Sequence, residues 1–531
     1  MRIIYNANIY TLDPKHPVAR AFAIDRERIL AVGDDDLIRS SFSWKEDELD
    51  AGNATLIPGL TDAHIHLQQY ALSLNIIDCE TTTRADCLAR IADRAQNSPA
   101  GDWIIGHGWN QNNWPDGVGS RADLDQAVPD HPVYLTAKSL HATWVNSEAL
   151  RQAGIGANTP DPPGGRIGRD EDGLPDGFLY ESAMQLVAIA IPEPPPNQIL
   201  EAIQNTQFKL TKMGVTSVHD FDRRSCLSAL QILHERGELN IRIVKSIPID
   251  DLTSAIEMGI HTGFGDDFLR IGGVKIFADG ALGPRTAAML EPYTGEPANS
   301  GILVLDSDAL YEQGRRAIKN RISLCIHAIG DLANREVLNA LGKLRTDEID
   351  VSRQSQLPLL RHRIEHVQLI HPDDTRRLAQ LKVIASMQPE HATSDMHMAD
   401  QYWGTRTANA YAWRTQLDNG ATLAFGSDAP VESPNPFRGL FAAVTRRRPD
   451  GSPGQAGWHP EQKLNISEAL HAYCTGPAYA AGIENRLGML SPGYLADLLL
   501  LDTDVFNCEP EQILEIRPLA TMVAGEWVYQ R

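Results

Sequence analysis

Short apolar runs alternate with amphipathic stretches along the middle of the chain. Strand-like runs lie at 55–66, 131–137, 215–221, 270–279, 322–328, 361–367, 382–389 and 421–427. Several are separated by segments whose apolar residues recur three and four apart, at 197–213, 308–319, 333–344 and 373–381. That spacing marks one face of a helix. In the first of these segments Asn197 stands as the N-cap and Gly214 as the stop. Strand–helix alternation predicts a parallel sheet with crossover helices. Eight such strands predict an α/β fold closed as a (β/α)8 TIM-type barrel. An open doubly wound sheet would carry the same alternation.

The two ends read differently. Residues 2–34 alternate in strand fashion around a turn at Asp25 to Arg28, and 496–502 and 519–531 have the same character. Strands this short cannot build a core alone. The ends are therefore expected to pair into one small β-sandwich, made of 1–54 and 486–531, beside a barrel of 55–485. The barrel segment is longer than the roughly 250 residues of a bare barrel. The excess is expected as an insertion around 67–196, rich in Pro and Gly at 159–177 and 191–198.

Composition narrows the function. At 531 residues, 42% hydrophobic and 22% charged, the chain can bury a large core. A net charge of −21 argues against nucleic acid, which needs a basic footprint, and against an anionic membrane surface. The six cysteines are scattered with no CxxC, which indicates neither a zinc ribbon nor a redox motif. Free thiols in a reducing compartment are expected. MRIIYNANIYTLD has no basic region followed by an apolar one. No apolar run approaches the roughly 18 residues of a membrane span. A cytoplasmic protein is the expectation.

The candidate chemistry sits at strand ends. His64 and His66, one residue apart, close the run TLIPGLTDAHIHL. Side chains at i and i+2 of a strand share a face, so both imidazoles aim at one point. Lys275 lies among apolar neighbours in RIGGVKIFADG, with Phe277 and Asp279 on the same face by parity. His327 ends ISLCIHAIGD, His366 ends RIEHV, and Asp428 ends ATLAFGSDAP. Each has a structural alternative: a hydrogen-bonded histidine, an Asx turn, a snorkelling lysine. Chance would have to put a metal-suitable group at every one of these ends. Parallel barrels gather their active sites at this rim.

These segments resemble the amidohydrolase superfamily, specifically the amidohydrolase 3 branch that includes N-substituted formamide deformylases. The residues carrying the resemblance include PGLTDAHIH, GHGWNQNNW, SLHATWVNSEAL, GGVKIFADGALGPRTA, IHAIGD, RIEHVQ and FGSDAPVESPNPF. It spans nearly the whole chain and is weakly specific for substrate. It implies two divalent metal ions, usually zinc. His64, His66 and Asp428 would bind one and His327 and His366 the other. Lys275, carboxylated by CO2, would bridge them. The implied reaction is hydrolysis of a C–N (amide-type) bond in a small organic molecule, by metal-activated hydroxide with Asp428 as general base and then general acid.

Trp109 and His141 match branch motifs and are placed facing the substrate. Arg285 either touches substrate or pairs with Asp279 to hold a loop. His391 is a further candidate substrate contact, and His219 a rim residue. Trp109, Trp114 and Trp144 suggest an apolar or aromatic substituent on an N-substituted formamide or similar linear amide. Rival readings are a cyclic amide, carbamate, ester or free nucleobase as substrate, and a non-catalytic metal-binding barrel. The resemblance is compatible with a homodimer.

Overall fold

In the computed structural model, which describes residues 1–42, 47–74, 76–192 and 194–531, eight parallel strands form the central sheet. β1 is Leu60–Ile65, β2 Val215–Asp220, β3 Arg242–Pro248 and β4 Leu269–Phe277. β5 is Leu324–Ala328, β6 Arg363–His366, β7 Ile384–Met387 and β8 Leu423–Phe425. They pair in that order. The sheet curls until its edges meet just beyond β8. There Asp428 N donates to His64 O at 2.6 Å and His66 N donates to Ala429 O at 2.9 Å. The joint that shuts the barrel is thus the place where His64, His66 and Asp428 come together.

Two expected strands change place. The run 131–137 is not a barrel strand. Val133–Ala137 lies in a separate six-stranded sheet built by the insertion, between Ile104–Trp109 and Ala142–Val145. Its apolar VYLTA is buried there as fully as a barrel strand would be, and periodicity alone cannot separate the two settings. The vacancy is filled by β3, whose RIVKSIP carries Arg242 and Lys245. Both charges are buried and paired, Arg242 with Asp497 and Lys245 with Asp220. The run 55–66 also divides. Thr55–Pro58 pairs with Asn8–Tyr10 and with Leu498–Leu501, and only Leu60–Ile65 enters the barrel. Gly59 makes the break. A Cβ there would come within 2.3 Å of the Thr216 side chain.

Chain-end strands form two sheets. One orders Arg28–Gly33, Ala21–Asp25, Arg2–Tyr5 and Asp47–Asp50; the other contains Thr55–Pro58, Leu498–Leu501, Pro518–Val523 and Glu526–Gln530. Ile4, Phe22, Ile29, Leu56, Leu498 and Met522 share one core between them. Helices cover the barrel. Pro196–Lys212 starts at a proline, with Pro195 rather than Asn197 in the cap position, and stops before Gly214 at φ +90°. Ser307–Lys319 is capped by Asp306, whose carboxylate accepts from Asp308 N and Ala309 N. The 333–344 pattern lies inside the longer helix Asp331–Ser355. The 373–381 pattern splits into a 3-10 turn, Pro372–Asp374, and one short helix, Arg377–Gln380. No helix of the described residues is long and apolar enough to cross a membrane. All six cysteines are free thiols.

Candidate metal centre and active site

At the C-terminal rim of the barrel, His64, His366 and Asp428 each offer a ligand atom within 4.8 Å of the others. His64 Nε2 is 3.4 Å and His66 Nε2 3.5 Å from Asp428 Oδ1. Lys275 Nζ lies 3.3 Å from His64 Nε2. The His327 ring centroid is 4.6 Å from that of His366. The fold therefore gathers all six candidate ligands, from five strand ends, around one point.

What holds each imidazole is a second set of groups. His64 donates from Nδ1 to Glu365 Oε2 at 2.6 Å, both side chains fully buried. His366 donates from Nδ1 to Gln388 Oε1 at 2.8 Å. His327 donates from Nε2 to Gly280 O at 2.9 Å. His66 Nδ1 faces Gln69 Nε2 at 3.2 Å and Asp222 Oδ1 at 3.5 Å. One nitrogen of each ring is thus engaged, and the other is left for the centre. That division fixes tautomer and tilt, as metal-binding histidines require. Burial pushes His64, His327 and His366 well below the ordinary histidine range. Each is a neutral imidazole near neutral pH, the form that binds metal.

Asp428 Oδ1 is buried and has no hydrogen-bond partner among the described residues. An anionic oxygen in that state is costly unless a cation meets it. Imidazole nitrogens 3.4 and 3.5 Å away supply the remaining donors of a cation site. The residues present therefore fit a divalent metal. Lys275 is buried too, with the Phe221 and Phe277 rings 4.7 and 5.0 Å from Nζ. Burial pushes its pKa below the ordinary lysine value. That shift favours the unprotonated amine, the form that reacts with CO2.

The loop bearing Asp428 is pinned to β1. Asp62 accepts from His64 N at 3.1 Å and from Ser427 N at 2.9 Å, and burial raises its pKa to about 7. A Cβ on Gly426 would lie 2.4 Å from His64 N, so only glycine allows this approach. Asp428 and His366 both have left-handed φ, +60° and +77°. Such strain collects at functional sites.

A cavity of about 470 Å³ opens above His327, His366 and Asp428. His141 lines it from the insertion, and Nδ1 of that ring lies 2.8 Å from Glu181 Oε2. Burial opposes charge on His141, but the Glu181 carboxylate overrides it and holds the pKa above the ordinary value. His391 also lines the cavity. Its Nε2 is 3.8 Å from Asp428 Oδ2 and buried without a hydrogen-bond partner among the described residues.

Other expected contacts fall elsewhere. Trp109 reaches the cavity wall but is 2% exposed, and its Nε1 donates to Leu135 O at 2.7 Å. Trp114 and Trp144 pack with it in the core of the insertion, not against the cavity. Arg285 is also off the cavity: it pairs with Glu296 and lies over the Tyr402 ring. Asp279 does not pair with it. That carboxylate accepts from Ala288, Ile329 and Gly330 amides instead. His219 sits within the barrel, bonded through Nδ1 to Arg363. None of Glu365, Gln388, Asp222 and Glu181 was expected at the site, although Glu365 lies within RIEHVQ beside His366 and Gln388 within SMQPEHATSD.

A family model described as amidohydrolase family matches residues 47–529. Protein LONG AFTER FAR-RED 3 of Arabidopsis thaliana is 31% identical, over 99% of this chain and 91% of its own length. An N-substituted formamide deformylase of Arthrobacter pascens is 28% identical, over 100% of this chain and 98% of its own. The crystal structure of an uncharacterized metal-dependent hydrolase from Pyrococcus horikoshii superposes with a TM-score of 0.76 at 27% identity, covering 96% of this chain and 99% of that one. With a matching model over nearly its full length and a barrel rim built to hold metal, this chain belongs to the amidohydrolase family and is a metal-dependent hydrolase of carbon–nitrogen bonds.

Proposed function

We propose that the protein hydrolyses the amide-type C–N bond of a small organic substrate, with an N-substituted formamide as the best single candidate. One observation carries the reading. Asp428 Oδ1 is buried without a hydrogen-bond partner among the described residues, between His64 Nε2 and His66 Nε2. His64, His66 and Asp428 would hold one zinc ion, His327 and His366 a second, with Lys275 as a carbamate between them. In forming that carbamate the neutral Lys275 amine adds to the carbon of CO2, and one amine proton leaves to solvent. Bound divalent ions supply Lewis acidity to the carbonyl and lower the pKa of water towards about 7.

The chain's own residues do the rest. Asp428 takes the proton of the attacking water and delivers it to the leaving nitrogen, base and then acid. His391 and His141, both lining the cavity, hydrogen-bond the substrate. Ala281, Leu282, Phe178 and Met398 give the cavity an apolar side for the nitrogen substituent. Similarity to an N-substituted formamide deformylase supports the choice of substrate.

The test is metal content and turnover in wild type and Lys275→Ala, against N-substituted formamides, other amides, carbamates and esters. About two zinc ions per chain, lost in the variant together with formamide turnover, is the expected result. A wild type with no metal and no turnover after reconstitution with zinc and bicarbonate overturns the reading.

A further inference from the structure

The insertion also reaches into the site through one carboxylate. Glu181 ends the strand Pro175–Glu181. His141 donates from Nδ1 to Glu181 Oε2 at 2.8 Å, and Glu181 N donates to His141 O at 3.2 Å. The other oxygen, Oε1, accepts from Thr286 Oγ1. Thr286 lies in the segment that follows β4, and its hydroxyl accepts from Ala281 N at 3.0 Å. The neighbouring Gly280 gives its carbonyl to His327 Nε2. A Cβ on Gly280 would come within 2.5 Å of Glu181 Oε1, so the carboxylate packs directly on the backbone that holds His327.

Two features separate this from an ordinary sheet end. Glu181 is fixed at φ +52°, a left-handed conformation that non-glycine residues rarely adopt. Strain of this kind persists where the surroundings over-determine it. The bond also selects the ring nitrogen. With Nδ1 donating to a carboxylate, Nε2 of His141 is the one left for the cavity. The His141 and His327 ring centroids are 5.1 Å apart, so that nitrogen serves a group bound beside the candidate ligands.

We propose that Glu181 is a positioning residue for the hydrolysis: it fixes the orientation of the His141 ring, so that Nε2 hydrogen-bonds the amide group of the substrate, and steadies the Gly280 backbone behind His327. The proposal rests on the hydrolase reading above. The experiment compares wild type, Glu181→Ala, Glu181→Gln and His141→Gln in the full chain. It measures kcat and KM for the best formamide, metal content, and the 15N spectrum of ring-labelled histidine. The His141 resonance is identified by its loss in His141→Gln.

Glu181→Ala is expected to lower kcat roughly 10–100-fold with KM and metal content little changed. Glu181→Gln, which keeps an acceptor oxygen, recovers part of the loss. In the spectrum, the His141 Nδ1 proton should lie far downfield in wild type and be lost in Glu181→Ala. An unchanged His141 resonance or an unchanged kcat in Glu181→Ala overturns the proposal. So does equal loss of metal and folding in both Glu181 variants, which would make the residue scaffolding. If wild type turns over nothing on the panel, the hydrolase reading has failed, and the histidine spectrum alone decides the Glu181–His141 pair.

Discussion

Each candidate ligand is only as good as the residue behind it. Glu365 accepts from His64 Nδ1 and also takes 2.8 Å contact from Arg363 Nη2, all three side chains buried. Glu365→Gln keeps shape and an acceptor, and should weaken retention of a divalent metal roughly 10–100-fold, read by competition with a chelator. Glu365→Ala should in addition cost about 3–5 kcal/mol in urea denaturation, because it leaves Arg363 buried without its anion. A variant that retains metal like wild type would remove Glu365 from the site. Strand parity alone marks His64 and His66, because i and i+2 share a face wherever the strand goes. Nothing local marks Glu365 as the partner of His64, which lies 301 residues away.

At the level of elements, the sequence signals fixed kind better than place. Two of the four helical patterns, 197–213 and 308–319, match their helices closely, and seven expected strands became barrel strands in whole or part. Val133–Ala137 and Arg242–Pro248 exchanged roles because buried apolar runs look alike and because paired charges can sit inside a barrel strand. The insertion strand Ile104–Trp109 meets the barrel through His107, whose Nε2 donates to Pro430 O at 3.1 Å, just past Asp428. Burial pushes His107 from the ordinary 6.5 down to about 4. The folded state therefore keeps it neutral where the unfolded chain takes a proton. Its contribution to stability is present above pH 6.5 and is lost as pH falls towards 4, at most on the order of 3 kcal/mol. Thermal midpoints should fall over that window, and His107→Gln should flatten the slope. An identical slope in the variant would show that other groups carry the acid sensitivity.

Across the whole molecule, the chain ends brace the barrel through a buried pair. Arg242 on β3 reaches Asp497, next to the strand Leu498–Leu501, with Nε–Oδ2 at 2.6 Å and Nη2–Oδ1 at 2.8 Å. Asp497→Ala leaves the guanidinium buried and unpaired, and should cost about 3–5 kcal/mol in urea denaturation. The double variant Arg242→Met/Asp497→Leu should regain most of that loss, since apolar replacement of both partners removes the stranded charge. A single variant as stable as wild type would mean the ends do not brace the barrel. By itself the sequence determined what local chemistry can determine: strand–helix alternation, the facing of His64, His66 and Lys275, and the acidic balance of the chain. Tertiary structure decided which apolar runs joined the barrel, which carboxylates and carbonyls hold each imidazole, and that the insertion lends His141 and Glu181 to the cavity. The physical reason is range. Side-chain alternation is set within a few residues, whereas strand order and buried hydrogen-bond partners are set by segments hundreds of residues apart that meet only when the barrel closes.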